Sequence, residues 1–256
     1  LIFIYFQVYI QIRNMKYKID GIFPTPIYIT SLGREFSKTE IKAIDKINKS
    51  IHQNESNYIS DDSYILEKPV FKKLKKELLA HLLEYNKVIT QWKNVKPYIT
   101  QSWLNFTKTD EYHHIHEHPN SMISGVLYVN ANPENDMIRF FNNCYKRIKP
   151  ETKNWNLYNS ESWWYPVTSG DLLLFPSELT HKVDVKKGDN LRISLAFNSY
   201  SVFLIKESMT VFTPHEKPFS FVYFSITCFV VYFDCIILSP VLIFFSYLLK
   251  FLLQRN

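Results

Sequence analysis

Beyond Pro97 the sequence changes period. Segments rich in β-branched and aromatic residues, Tyr98–Phe106, Met122–Val129, Met137–Phe141, Asp171–Phe175 and Leu191–Asn198, alternate with turn residues such as Lys187-Gly188-Asp189-Asn190. Short segments of this kind are strands, and many short strands must bury their apolar faces in a sandwich or barrel. Before Pro97 the pattern is helical. Ser37-Lys38-Thr39-Glu40 reads as a capping box, followed by Ile41, Ile44, Ile47 and Ile51 at helical spacing. Pro69 suits the first turn of a second helix, whose apolar stripe is Phe71, Leu74, Leu78, Leu82, Tyr85 and Ile89. His81 falls off that stripe and is expected at the surface. Phe23-Pro24-Thr25-Pro26-Ile27-Tyr28-Ile29 reads as an extended strand, and residues 53–66 as a polar loop. Helices first and strands after predict an α+β, mainly β chain: a helical layer against a jelly-roll or double-sheet barrel.

The chain has 256 residues, 46% of them apolar and 16% aromatic, enough for one good-sized core with appendages. A formal charge of +6 without a block of like charges gives a solvated surface and no nucleic-acid signal. Three cysteines (Cys144, Cys228, Cys235) make no disulfide framework and no Cys-x-x-Cys, which fits a reducing, cytoplasmic compartment. Residues 1–12 alternate apolar and aromatic residues without a basic start or a small-residue cleavage site, and residues 1–14 read as a non-native leader ahead of Met15. Residues 219–253 are apolar around Asp234, in two runs each shorter than the roughly twenty residues of a bilayer span. They read as a membrane tether, a packed apolar tail or read-through. The expected division is leader 1–14, strand and helical layer 15–95, β core 96–202 and apolar tail 203–256.

Four of the eight histidines fall in His113-His114-Ile115-His116-Glu117-His118-Pro119. In a regular strand His114, His116 and His118 share one face, while Ile115 and Glu117 take the other. Two such imidazoles and a third ligand from another strand close a triangular face on a metal and leave the opposite face open. His181, after the apolar strand ending Phe175-Pro176, is that third ligand. His116 and His118 are the preferred pair because Pro119 ends the strand just past them. His114 lies deeper, supporting the ligands or facing substrate, and Glu117 becomes a ligand only through a kink at His118-Pro119. A wet histidine-rich loop is the competing reading, and zinc the competing metal. Arg192-Ile193-Ser194 follows on the last strand. Its guanidinium suits a carboxylate through paired hydrogen bonds, and a hydroxyl two residues on shares its face.

Several further segments occur in a fixed order. They are Phe23-Pro24-Thr25-Pro26, Ser102-Trp103-Leu104-Asn105, His116-Glu117-His118-Pro119-Asn120-Ser121, Ser124-Gly125-Val126-Leu127-Tyr128-Val129 and Gly170-Asp171-Leu172-Leu173-Leu174-Phe175-Pro176-Ser177. His181 and Arg192-Ile193-Ser194-Leu195-Ala196-Phe197-Asn198 follow. The series resembles the 2-oxoglutarate- and Fe(II)-dependent oxygenases of tailed bacteriophages and marine bacteria. It is similar, more distantly, to the prolyl hydroxylase superfamily, over roughly residues 20 to 200. The resemblance implies a double-stranded β-helix (jelly roll) with the N-terminal helices packed on one sheet. It implies His116 and His181 as Fe(II) ligands, with His118 where the superfamily usually has Asp. It also implies Arg192 on the far carboxylate of 2-oxoglutarate, assisted by Ser194 and Tyr128.

Asn105 either lines that pocket or is an ordinary edge residue; Trp103 and Tyr128 are otherwise core residues. The implied activity is a dioxygenase that consumes O2 and 2-oxoglutarate and hydroxylates a primary substrate the sequence does not name. A third histidine in place of Asp leaves the site neutral apart from its metal, which weakens metal binding. The alternative is a non-catalytic, cupin-like metal-binding jelly roll. The loop 131–166, with Trp155, Tyr158, Trp163, Trp164 and Tyr165, either lines the substrate pocket or packs on itself.

Overall fold

The computed structural model describes residues 18–51, 56–142, 148 and 150–203. The leader 1–14, the apolar segment 219–253 and all three cysteines lie outside the described residues. Among those described, no helix is long and apolar enough to cross a membrane.

Helix α1 (Lys38–Asp45) starts at the expected box: the Ser37 hydroxyl accepts from the Glu40 amide, and the Glu40 carboxylate accepts from the Ser37 amide. Arg34 pairs with Glu40 and with Glu77 at 2.9 Å each, tying this cap to the second helix. α1 is shorter than the isoleucine spacing predicts. Ile44 is buried, but Ile51 belongs to strand β1 (Lys49–Ile51), because hairpin pairing with β2 (Tyr58–Ser60) captures that stretch. Helix α2 (Lys72–Tyr85) follows two short 3-10 turns, Ile65–Glu67 and Pro69–Phe71. Phe71, Leu74, Leu78, Leu82 and Tyr85 are buried as expected, each stabilising by about 1.5–3 kcal/mol relative to exposure. His81 departs from expectation. It is half-buried, and its Nδ1 lies 3.1 Å from the Tyr28 hydroxyl, because the preceding strand β0 (Tyr28–Ser31) runs past α2.

The remaining strands are β3 (Val95–Thr107), β4 (His113–His116), β5 (Ile123–Asn130), β6 (Met137–Phe141), β7 (Ser162–Pro166), β8 (Asp171–Pro176), β9 (His181–Val183) and β10 (Arg192–Phe203). A seven-stranded sheet runs β0-β8-β5-β10-β3-β2-β1, and a four-stranded sheet runs β4-β9-β6-β7, with antiparallel pairing throughout. The fold is mainly β, a jelly roll with its helical layer on one face of the larger sheet. Alternation assigns the two faces of the central strands. Leu127, Val129, Leu172, Leu174, Leu104 and Leu195 pack with the α2 stripe. Val126, Tyr128, Leu173 and Phe175 pack with Ile138 and Phe140 of the smaller sheet. β5 and β8 therefore read as continuous apolar runs, because both of their faces are covered. Strands β2 and β7 arise where the sequence predicts loop, and β9 carries His181 just past the apolar strand β8. Each has five residues or fewer.

Candidate functional site

The larger sheet presents three adjoining rows to the space between the sheets. Pairing places Ala196 opposite both Trp103 and Val126, Ser194 opposite both Asn105 and Tyr128, and Arg192 opposite Thr107. Residue spacing of two along β3, β5 and β10 thus brings Asn105, Ser194 and Tyr128 into one line across three strands, with Arg192 one row further on. All of them line one cavity, whose other wall carries His113, His116, His118, His181, Val183 and Ile138.

The ligand nitrogens of His116, His118 and His181 lie within 4.8 Å of one another. Their ring centres are 4.3 Å (His116–His181), 4.9 Å (His116–His118) and 5.1 Å (His118–His181) apart. His181 is placed by direct pairing of β9 with His116 of β4. His118 lies beyond the end of β4, where its amide donates to the Ser177 carbonyl at 2.9 Å. Ser177 is itself fully buried and bonded through its hydroxyl to Ser124 and Ser121. The Trp103 ring lies 5.5 Å from that of His118, so Trp103 is a wall of the site rather than plain core. Glu117 is exposed, as a side chain on the opposite face should be.

The regular alternation expected for the histidines is broken. His116 pairs with His181 but His113 pairs with Val183, so three steps on β4 span two on β9. This β-bulge turns His113, rather than His114, into the cavity beside His116. The rings of His113 and His114 stack at 5.3 Å, and His113, His114 and His116 form a second group with ligand atoms within 4.8 Å. The two groups share His116, and hydrogen bonding limits what that ring can serve. His116 Nδ1 is 2.9 Å from the His114 carbonyl and His181 Nδ1 is 2.8 Å from the Leu179 carbonyl. A carbonyl oxygen only accepts, so each Nδ1 carries the proton and each ring offers one lone pair, on Nε2. His116 can therefore serve a single metal ion. The set His116, His118 and His181 includes two imidazoles oriented this way by backbone carbonyls.

Burial, with neighbouring imidazoles adding to it, holds these rings neutral. The His118 value falls to about 4 and that of His181 to about 3, and His116 is also lowered. The neutral ring is the form that binds metal. At the other end of the cavity, Arg192 is 4% exposed, donates through Nη1 to the Met137 carbonyl at 3.3 Å, and leaves Nε without a partner among the described residues. The hydroxyl of fully buried Tyr128 and Oδ1 of Asn105 also lack partners among the described residues. Burial drives the Tyr128 phenol up to about 12, so it stays protonated as a donor. Buried polar atoms are normally paired. A guanidinium, a phenol and an amide left open around one cavity fit an anionic ligand with further polar oxygens. Three imidazoles at hand for one ion fit a divalent metal.

The sequence therefore brings together all seven of its expected site residues, His116, His118, His181, Arg192, Ser194, Tyr128 and Asn105, around one cavity. It misses His113, which no period reveals because a bulge places it, and Asn57, which arrives from a segment read as loop. Trp103, expected in the core, is also missed, although its alternation with Asn105 on one strand is a signal that could have found it. From the segment 131–166 Ile138 lines this cavity, whereas Trp155, Tyr158, Trp163, Trp164 and Tyr165 are not among its lining residues. Trp155 and Tyr158 are exposed, whereas Trp163 and Trp164 stack on β7 with Arg139 over the latter ring at 5.0 Å.

Residues 101–198 match the family described as "Putative 2OG-Fe(II) oxygenase", a span that holds every residue of the histidine cluster together with Arg192. No curated protein matches the sequence. Among solved structures, HygX from Streptomyces hygroscopicus, with nickel, 2-oxoglutarate and hygromycin B bound, is similar at 16% identity. The match covers 68% of this chain and 82% of that one, with a TM-score of 0.48. An oxidoreductase of the 2OG-Fe(II) oxygenase family from Burkholderia pseudomallei matches at 13% identity over 68% of this chain and 84% of the other, TM-score 0.45. A prolyl-4-hydroxylase from Pseudomonas putida matches at 14% identity over 68% and 92%, TM-score 0.44.

Proposed function

We infer that the chain is a member of the 2-oxoglutarate- and Fe(II)-dependent oxygenases and works as a dioxygenase that hydroxylates a primary substrate. His116, His118 and His181 hold Fe(II) in this reading. Arg192, with Ser194, Tyr128 and Asn105, holds the far carboxylate of 2-oxoglutarate. Bound together, metal and co-substrate supply the chemistry in which O2 and 2-oxoglutarate yield succinate and CO2 while a substrate C–H becomes C–OH. The protein's part is positional. Backbone carbonyls orient two imidazoles, burial keeps the ligands neutral, and the fixed guanidinium sets the direction in which a dicarboxylate lies. Residues 96–202 form the catalytic core of this proposal. Cytoplasmic placement belongs to it too, resting on cysteine usage alone.

The observation that carries the reading is a buried arginine with an open Nε on the same cavity as the three imidazoles. Anaerobic addition of Fe(II) and 2-oxoglutarate should give a weak visible charge-transfer band, and aerobic incubation should release succinate. Metal binding with neither signal would defeat the assignment. The absence of a carboxylate from the histidine set favours one second reading, a non-catalytic jelly roll holding zinc. Stoichiometric zinc in protein purified without added metal, together with no succinate release on iron loading, would select it.

A further inference from the structure

We propose that His113 is a contact for the co-substrate, donating an imidazole N–H to a carboxylate oxygen of the dicarboxylate that lies between the metal ligands and Arg192. This rests on the oxygenase reading above and adds to it a residue from the opposite wall of the cavity. The polar row Asn105, Ser194 and Tyr128 lies on the larger sheet. Across from it, the smaller sheet offers apolar Val183 and Ile138, and one polar side chain nearer the metal end, His113. Its ring centre is 4.5 Å from that of His116, and it lines the same cavity as Arg192.

Local backbone supports a dedicated role. The β-bulge between the His116–His181 and His113–Val183 pairs is what turns this side chain inward. Bulges commonly re-aim a side chain at a site. A role for His113 as a metal ligand alongside the triad is disfavoured, because the group it completes needs the one lone pair of His116. A neutral imidazole keeps one N–H to donate, and hydrogen bonds to charged groups are the stronger kind.

The test is 2-oxoglutarate titration of the full chain loaded anaerobically with Fe(II), comparing unmodified protein, His113→Phe and His113→Gln, with metal content measured on each. Phenylalanine keeps the ring shape and loses the donor; glutamine keeps a donor. The expected result is an intact metal stoichiometry in all three, an affinity about 10- to 100-fold weaker for His113→Phe, and partial recovery in His113→Gln. Unchanged affinity in His113→Phe overturns the proposal. Loss of metal in both variants also overturns it, since it makes His113 a ligand. If His113→Phe does not fold, His113→Ala takes its place as the donor-free variant, with the same expected loss and the same overturning result. Absence of binding by the unmodified protein defeats the oxygenase reading itself, and this inference with it.

Discussion

The guanidinium carbon of Arg192 lies 5.4 Å from the centre of the Tyr128 ring, and neither the Arg192 Nε nor the Tyr128 hydroxyl has a hydrogen-bond partner among the described residues. The aromatic face partly offsets the buried charge, but a buried cation without a carboxylate is costly. A dicarboxylate would complete both groups at once. Arg192→Ala should therefore weaken 2-oxoglutarate binding by about 100-fold or more, in line with the roughly 2–5 kcal/mol of a buried charged contact, while metal content stays at that of the unmodified protein. Calorimetric titration with elemental analysis checks both. Equal affinity in variant and parent would remove Arg192 from the site.

The same argument predicts a stability signature that needs no turnover. A ligand bound only by the folded state raises stability by about 2.7 kcal/mol at one hundred times its dissociation constant. Saturating 2-oxoglutarate should raise the midpoint of thermal unfolding of metal-loaded protein, and the rise should vanish in Arg192→Ala. Succinate, which keeps two carboxylates but lacks the keto group, should give a smaller rise. A full shift in Arg192→Ala would place the anion elsewhere.

At the metal end, His181→Ala should abolish stoichiometric metal, since it removes the buried imidazole whose Nε2 is the available lone pair. His118→Asp should keep metal or bind Fe(II) more tightly, because it adds a negative charge at the position whose imidazole is within 4.8 Å of its two companions. Competition with a chromophoric chelator measures both. Tight metal binding by His181→Ala would move the site away from this triad.

The parts of the site that follow a strict two-residue period could be read directly. Asn105, Tyr128, Arg192 and Ser194 lie on long strands inside a continuous sheet, where register is fixed by burial of both faces. The apolar stripe of α2 was equally legible. Legibility failed where tertiary pairing outranked local pattern. Ile51 follows helical spacing yet pairs in a hairpin, and His113 owes its orientation to a bulge set by β9, more than sixty residues downstream. His81 looked like a surface residue because its partner, Tyr28, belongs to a strand brought over the helix from far upstream.

Burial of neutral histidines also fixes a pH dependence for the metal-free protein. His118 and His181 fall from an ordinary value of 6.5 to about 4 and about 3 in the folded state, desolvation being the largest cause for each. Between those limits the unfolded chain binds more protons than the folded one, so stability rises with pH. The stability of metal-free protein should be complete above about pH 6.5 and should decline as pH falls toward 4 and then 3. Chemical denaturation across this range tests it. In His118→Gln the slope should be shallower, since one of the contributing rings is gone; an unchanged slope would mean that His118 does not contribute.

Gly125 offers a test of how the larger sheet is packed behind the site. It pairs with Phe197 of β10, and a methyl group at its Cα would sit 2.1 Å from the Phe197 ring, which covers it on the helix side. No ordinary contact is that short, so Gly125→Ala must displace a buried aromatic ring that is 1% exposed. Overpacking of this kind costs about 1–3 kcal/mol. The strain should be relieved in a Phe197→Leu background, where a narrower side chain leaves room. The cost of Gly125→Ala should then be clearly smaller with leucine at 197 than with phenylalanine, as a double-mutant cycle of two touching residues requires. Ser124 and Val126, the neighbours of Gly125, line the cavity, so Fe(II) stoichiometry reports whether the disturbance crosses the sheet. Retained stoichiometry with a loss of stability confines it to the helical side, and equal costs of Gly125→Ala in the two backgrounds would show that the ring of Phe197 is not what excludes a side chain there.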